Sequence, residues 1–528
     1  MTSAEKLWLA IGFLAQGMFF GRFLIQWLAS EKAKRSVIPP MFWYLSISGA
    51  IGTLCYAIYR RDPVFIAGQG IGLLVYFRNL WFIRSSKKVA AVDSLVCAPI
   101  GKGEKATPVP CYALVLPFLF LMLAGWELRN PLWRCYDELY QIPLARSLLI
   151  GQGYRDATHP PLGKMLIALS IAVFGDSAWT WRIPSLLTGS ASVFLVYLLA
   201  KNLFKNLRTA FFCSLFFAMD GLSIFQARLA MLNAPALFFS LLSLVLISHL
   251  IADPAASRRV FFRISGFCWG LAMATKLITI FFGIPVFALL TLVYVQAKNK
   301  KDFWKEAVVG FLVMPAIAYA SVYIVLALLT GKTWRQLIDE NINNLVTYHL
   351  KAIGYNAFSS RWWSWPLLLT PQYVHVQALK NGLIRVIWVM GNPAICWVIP
   401  VAFLYTALLC IRRRLAAAGI LLLGFFAQWL PYLFVKRIQF IHYFYFAMPF
   451  VVMMFGLTLE FLWEKKGVWK GIAASYLAVV IFTFAFWYPL NNAIPVSPKF
   501  IQMHIWLSRW QKPYNFAESL FAQAQYFY

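Results

Sequence analysis

Apolar residues run through this chain in long blocks, separated by short stretches that carry nearly all of the charge. Crossing about 30 Å of hydrocarbon takes about 20 helical residues. Blocks of roughly that length occur at 7–28, 41–59 and 63–83, and then at 111–126, 181–203, 208–220, 231–252, 262–276, 277–297, 306–330, 385–410, 415–435, 438–462 and 468–488. The pattern predicts an all-α polytopic membrane protein with three spans followed by about eleven. One further run, 162–174, is too short to cross comfortably, and counting it would put Lys201, Lys205 and Arg208 outside, so it is predicted to lie at the interface or to re-enter.

Between the two sets of spans lies 84–110, with Arg84, Lys87, Lys88, Lys102, Lys105, three prolines and two glycines. It reads as a cytoplasmic linker, which predicts a three-helix membrane domain at 1–84, a linker at 85–110 and a larger domain at 111–528. With 162–174 not counted as a crossing, the clusters Lys201 to Arg208, Arg258-Arg259, Lys298 to Lys305, Arg412 to Arg414 and Lys465 to Lys470 all fall on one side. That is the asymmetry of the positive-inside rule, and it makes this side cytoplasmic. The first apolar run lacks a small-residue cleavage site and is expected to stay in the mature protein.

Composition supports this picture. Hydrophobic residues make up 61% of the 528 residues and charged ones 13%, about half of what a soluble domain carries. A soluble enzyme and a disordered tail are excluded. The excess of 48 Lys and Arg over 19 Asp and Glu, +29, is dispersed among the loops rather than gathered in one patch, so the partner it implies is the lipid bilayer and not nucleic acid. The eight cysteines show neither disulfide nor zinc spacing.

Two long loops, 127–180 and 331–384, then face outside, and loops of that length do more than connect. Five of the nineteen acidic residues (Glu127, Asp137, Glu138, Asp156 and Asp176) sit in the first. Adjacent Asp137 and Glu138 cannot both enter one small pocket as an acid and base pair, so they suit one carboxylate that does chemistry and one that orients it. A solvated loop or an acidic helix start uses the same pair. His159-Pro160-Pro161-Leu162-Gly163-Lys164 opens the short apolar helix, where Lys164 can meet a lipid phosphate or merely snorkel, with His159 as a cap. Arg228 and Lys276 each lie between two apolar runs near the outer face; a departing phosphate calls for such cations, and snorkelling is the alternative. Trp362, Trp363 and Trp365 suit either an interfacial belt or a stacking surface for sugar or peptide. No metal-ligand cluster is visible and no cofactor is expected.

These blocks, in this order, resemble the protein O-mannosyltransferase family, polyprenyl-phosphate-sugar-dependent glycosyltransferases of the GT-C fold. The likeness rests on Asp137-Glu138, His159 to Lys164, Trp181-Arg-Ile-Pro-Ser185, Met219-Asp-Gly-Leu-Ser223 leading to Gln226-Ala-Arg228, Met231-Leu-Asn233 and Gly270 to Lys276. It continues through Trp362 to Pro371, Met390-Gly-Asn-Pro393 and His442-Tyr-Phe-Tyr445. Two positions depart from the family pattern: Asn233, where the family usually has Asp, and Asn356-Ala357-Phe358, where it usually has His-Pro-Tyr. The first unit is similar to the N-terminal membrane domain of lipid A disaccharide synthase, through Gly21 to Trp27, Ser30-Glu31, Ser36 to Pro39, Phe42 to Ser46, Asp62-Pro63, Gly68-Gln69 and Tyr76 to Leu80. The soluble catalytic part of that synthase has no counterpart here.

The resemblance implies that a polyprenyl-phosphate sugar, mannose by family, meets a hydroxyl acceptor at the loop 127–164. Asp137 would be the general base and Glu138 its orienting partner, while Lys164, Arg228 and Lys276 would stabilise the leaving phosphate; His159, Trp362, Trp363 and Trp365 would line the substrate loops. Transfer would invert configuration on the periplasmic face of a bacterial inner membrane. Protein Ser/Thr is the acceptor that the family implies. A glycolipid such as lipid A, favoured by the first unit and the altered triplet, is the nearest rival, and a polyprenyl-glycolipid carrier is the rival from another class. A carrier gathers its ionisable residues near the midplane, whereas here they gather at the outer rim.

Overall fold

The computed structural model describes residues 3–85, 109–339 and 356–511, except positions 35, 37, 61, 157, 254, 255, 298, 357, 436 and 466. Most of the predicted linker, the middle of the second long loop, Ala357 of the departing triplet and the end of the tail lie outside the described residues. The chain divides into two compact units, Met1–Glu104 and Lys105–Tyr528.

The first unit contains α1 (Ser3–Ala33), α2 (Pro40–Arg60) and α3 (Pro63–Ser85). Proline opens both α2 and α3, where its missing N–H costs nothing. Ahead of α3, Asp62 accepts from the backbone N–H groups of Val64 and Phe65 at 3.0 and 3.2 Å. Helices α1 and α2 approach closely, for a Cβ on Gly52 would come within 2.9 Å of the Ala15 Cβ. Arg22, inside an apolar helix, is held locally: its Nη1 donates to the Ser46 and Tyr76 hydroxyls at 3.2 Å each, and its guanidinium lies 4.5 and 4.7 Å from the ring centres of Phe19 and Phe23, while its Nε has no partner among the described residues.

Among the described residues the second unit is helical apart from one hairpin and an isolated bridge from Ile384 to Val496. Its first half runs α4 (Val115–Gly125), α5 (Glu138–Leu149), α6 (Leu162–Phe174), α7 (Ala178–Phe204), α8 (Leu207–Ala218), α9 (Gly221–Arg228) and α10 (Asn233–Ala252). Then come α11 (Arg258–Thr275), α12 (Gly283–Gln296), α13 (Lys300–Val308) and α14 (Met314–Thr330). After the second long loop follow α15 (Ile399–Arg413), α16 (Ala416–Trp429), α17 (Met448–Glu464) and α18 (Val468–Asn491).

Among the described residues seven helices are long and apolar enough to cross a membrane, or eight when a bent pair counts as one span. Of the eleven predicted crossings in this unit, 111–126, 208–220, 262–276 and 385–410 fall outside the seven. The run 208–220 is the bent pair: α8 and α9 meet at 63°. Buried Asp220 holds the break, accepting from Ser223 N at 3.1 Å as the cap of α9 and from Asn392 N at 3.0 Å. A Cβ on Gly221 would sit 2.3 Å from the Met390 carbonyl, so only glycine fits there.

The predicted span 385–410 is corrected. Its first part is a strand, β2 (Ile384–Val389), antiparallel to β1 (Gln372–Ala378), and only its second part is helix α15. Alternation in Gln372-Tyr-Val-His-Val-Gln-Ala378 and the turn Asn381-Gly382, with Gly382 at φ +77°, are a hairpin signal. A count of apolar residues alone overlooks it, because Ile384-Arg-Val-Ile-Trp-Val389 is a strand buried on both faces.

Candidate active site

The site is built on the loop between α4 and α5. Two arginines with no exposed surface hold that loop from within. Arg228, the last residue of α9, donates through Nη1 to the Trp126 carbonyl at 2.7 Å and to Asn492 Oδ1 at 2.8 Å, and through Nη2 to the carbonyls of Glu127 and Asn130 at 3.0 and 2.9 Å. Arg182, near the start of α7, donates through Nη1 to the carbonyls of Leu128 and Pro131 at 2.9 Å each. Its Nε and Nη2 form a two-point pair with Glu138, 2.8 Å at each oxygen. Glu138 also accepts from Ala230 N at 2.9 Å and Cys135 N at 3.2 Å. A carboxylate so deeply buried and so fully bonded fixes backbone, because breaking one partner of such a pair strands the other charge.

Asp137 looks elsewhere. Tyr136, just before it, is held in the left-handed region at φ +56°, rare for a bulky side chain. Its ring is packed against Phe225, Phe440 and His442 at 6.5, 6.1 and 5.4 Å between centres. Asp137 is the residue ahead of α5, yet its side chain makes no capping bond there. The positive charges of Lys276 and Arg437 act on it instead. Burial pushes its carboxyl above the ordinary carboxylate range, with Lys276 and Arg437 pulling the other way and the neighbouring Glu138 adding to the rise. Adjacent carboxylates thus have separate surroundings, as the sequence suggested.

Lys276 is placed by the end of α11. Its Nζ donates to Asn233 Oδ1 at 2.6 Å and lies 5.3 Å from the centre of the Tyr443 ring. Arg437 lies 5.8 Å from the same ring, so Tyr443 is flanked by both cations. With Asn in place of the family's usual Asp at 233, Lys276 keeps its net charge at this contact. Asn233 is buried, and its Nδ2 has no hydrogen-bond partner among the described residues. On the other flank, His442 Nδ1 pairs with Gln372 Oε1 of β1 at 3.0 Å and lies 3.5 Å from the Tyr136 hydroxyl. His375, also on β1, packs 5.8 Å from Trp133; burial first, then the charges of Arg182 and Arg385, lower its pKa to about 4.

Of the residues singled out from sequence, the structure therefore brings Asp137 and Lys276 together and puts Glu138 and Arg228 to work on the loop behind them. Lys164, with no exposed surface, forms an ion pair with Asp156 and donates to the carbonyls of His159 and Pro160 at 2.7 and 2.9 Å. That closes the His159-Pro160-Pro161 turn onto α6, although the charge of Lys164 is still felt at Lys276. Burial raises the Asp156 carboxyl, but the Lys164 charge and bonds from Thr158 outweigh it and hold it below the usual range. Trp365 is fully buried, donating to Ser360 Oγ at 3.0 Å and packing on Tyr432. Trp362 is half-buried against Trp429, and Trp363 is exposed.

Arg437, Gln372, His442 and Tyr443 were not picked out as site residues from the sequence. Arg437 did leave a signal: Lys436-Arg437 is a basic pair on the outer side of the predicted topology, where the positive-inside rule gives it no reason to be. Among the described residues no group of three or more His, Cys, Asp or Glu side chains is placed to hold a metal ion.

Residues 158–323 match the family described as dolichyl-phosphate-mannose-protein mannosyltransferase, and residues 333–510 match the C-terminal four-transmembrane region of protein O-mannosyltransferase. The chain belongs to the protein O-mannosyltransferase family. Residues 11–81 match the lipid A biosynthesis N-terminal domain. A polyprenol-phosphate-mannose–protein mannosyltransferase of Mycobacterium tuberculosis is 24% identical over 451 residues, covering 71% of this chain and 86% of its own. An undecaprenyl phosphate-alpha-4-amino-4-deoxy-L-arabinose arabinosyl transferase of Pseudomonas aeruginosa is 27% identical over 294 residues, 53% of this chain and 50% of its own. In fold, the second unit is that of the mannosyltransferases: the S. cerevisiae Pmt1-Pmt2 complex superposes with a TM-score of 0.68 at 13% identity, covering 77% of this chain and 93% of that one. ArnT from Cupriavidus metallidurans gives 0.50 at 15% identity, covering 70% and 63%. The GT-C fold expected from sequence is the fold observed.

Proposed function

We propose that this membrane glycosyltransferase moves a sugar, mannose, from a polyprenyl-phosphate donor to the hydroxyl of a protein Ser or Thr. One observation carries the reading: among the described residues Asp137 is the one carboxylate of the loop 127–180 with no bond into the scaffold, and the charges of Lys276 and Arg437 act on it. The acceptor O–H gives its proton to Asp137 while its oxygen attacks the anomeric carbon in line. The bond from that carbon to the phosphate oxygen breaks with its electron pair, the polyprenyl phosphate departs from the opposite face, and configuration inverts. Negative charge growing on the phosphate is met by Lys276 and Arg437, with the open Nδ2 of Asn233 as a third donor; preorganised cations of this kind act most strongly where water is excluded. Lys164 supports the cluster from behind, closing the His159 turn. Exposed Trp363 and the edge of Trp362 offer the acceptor a surface. The scheme has no cofactor and no metal step.

We place the site on the periplasmic face of a bacterial inner membrane, because the basic clusters then lie inside. A glycolipid acceptor is the second reading, favoured by the arabinosyl transferase relative and by the lipid A-type first unit. Proteoliposomes given labelled polyprenyl-phosphate mannose, a Ser/Thr-rich peptide and a lipid A acceptor separate the two. Labelled peptide with the anomeric configuration opposite to the donor's is the expected product. Labelled lipid alone supports the second reading, and retained configuration contradicts the single displacement.

A further inference from the structure

The first unit holds a cavity of about 370 Å³ bounded by α1, the end of α2 and the start of α3, within the size range of ligand sites. Its polar side is formed by Gln16, Thr53, Tyr56 and Arg60, its apolar side by Phe13 and Phe65. Thr53 is 5% exposed, and among the described residues its hydroxyl has no hydrogen-bond partner. Within a helix a threonine hydroxyl commonly bonds the carbonyl four residues back; this one, on a residue of the cavity wall, does not, and buried hydroxyls without partners are rare. Asp62 also lines the cavity, but its carboxylate is bonded to the first backbone N–H groups of α3. The other cation described in this unit's interior, Arg22, is turned to Ser46, Tyr76 and its ring cage and does not line the cavity. Among the described residues Arg60 is thus the cation of the wall.

A guanidinium fork beside a hydroxyl and an amide is the donor set that recognises a phosphate. Phe13 and Phe65 are 71% and 52% exposed, an apolar lip suited to a ligand whose phosphate carries a hydrocarbon chain. Arg60 ends α2, where the predicted topology puts the outer headgroup layer, the depth at which a basic side chain meets lipid phosphates. We propose that this cavity binds the phosphate headgroup of a membrane lipid, as a site of the first unit's own.

The test counts farnesyl phosphate bound per full-length chain in phosphate-free dodecyl maltoside. Two sites are expected, one weakened at least tenfold by Arg60→Gln or Thr53→Val and restored by Thr53→Ser, the other by Lys276→Ala. Displacement from the Arg60 site by phosphatidylglycerol also supports the proposal, with a phospholipid as the source. Unchanged occupancy in both Arg60→Gln and Thr53→Val overturns it, as does equal binding of farnesol. Equal competition by inorganic phosphate overturns it too, since the ligand would then be a soluble anion. Loss of the Lys276 site alone bears on the transfer reaction and leaves this proposal standing.

Discussion

Asp137 and Glu138 are one bond apart along the backbone, and their surroundings could hardly differ more. Glu138 is tied to Arg182 and two backbone N–H groups, while Asp137 faces Lys276 and Arg437 from a site that raises its pKa. As the base it must be ionised, so activity is lost as pH falls through that raised value. The acid limb of kcat/KM is therefore expected above about 3.9, where an ordinary aspartate titrates. Lys276 stabilises the charged carboxylate, so Lys276→Ala should move the limb to higher pH as well as lower kcat; pH–rate profiles of the two proteins check both, and a limb that stays put would remove Lys276 from the site. The pair Asp137-Glu138 was legible in sequence because acids are scarce in this chain. That the two carboxylates would differ in surroundings was legible too, but not that Glu138 is bonded to Arg182. Arg228 and Lys164 looked like phosphate ligands because a lone cation near an apolar rim reads the same whether it meets a phosphate, the carbonyls of a distant loop as Arg228 does, or a nearby turn and carboxylate as Lys164 does. Only the fold distinguishes them.

At the scale of elements, the loop from α4 to α5 has almost no regular structure of its own and is shaped by side chains from α7 and α9. Arg182→Ala leaves Glu138 and the carbonyls of Leu128 and Pro131 without their donors. The expected cost is about 3–5 kcal/mol, read as a fall in thermal midpoint in detergent, with transfer lost alongside; Asp137→Asn, which breaks no such bond, is expected to shift the midpoint little. Helix existence was readable from apolar blocks, whereas the break at Asp220 was not, and the local signal of the β1–β2 hairpin was covered by the apolar content of β2. In both cases the deciding partner is remote: Asn392 for Asp220, and the bridge from Ile384 to Val496 for the hairpin. The hairpin matters to the site, since β1 carries Gln372 to His442.

Over the whole molecule, the distribution of charge is what orients the chemistry. In the predicted topology the clusters Lys201 to Arg208, Arg258-Arg259, Lys298 to Lys305, Arg412 to Arg414 and Lys465 to Lys470 fall on one side, and the proposed site residues Asp137, Lys276 and Arg437 come from segments predicted on the other. In intact cells a membrane-impermeant maleimide should therefore label Asn381→Cys and reach Lys301→Cys only after lysis, each measured over the unaltered chain; the reverse pattern would turn the site inward. Length and composition showed a membrane protein in two units at once, but four predicted crossings lack the length or polarity profile of a regular span, because short, bent and β segments share the apolar content of long helices. The most direct measurement of the central claim is the rate of mannose transfer by Asp137→Asn against the unaltered protein, in proteoliposomes at matched folded amounts. The account predicts a loss of about 10²- to 10⁴-fold, the usual worth of a general base, with donor binding retained. Transfer within a few-fold of the unaltered rate would contradict it.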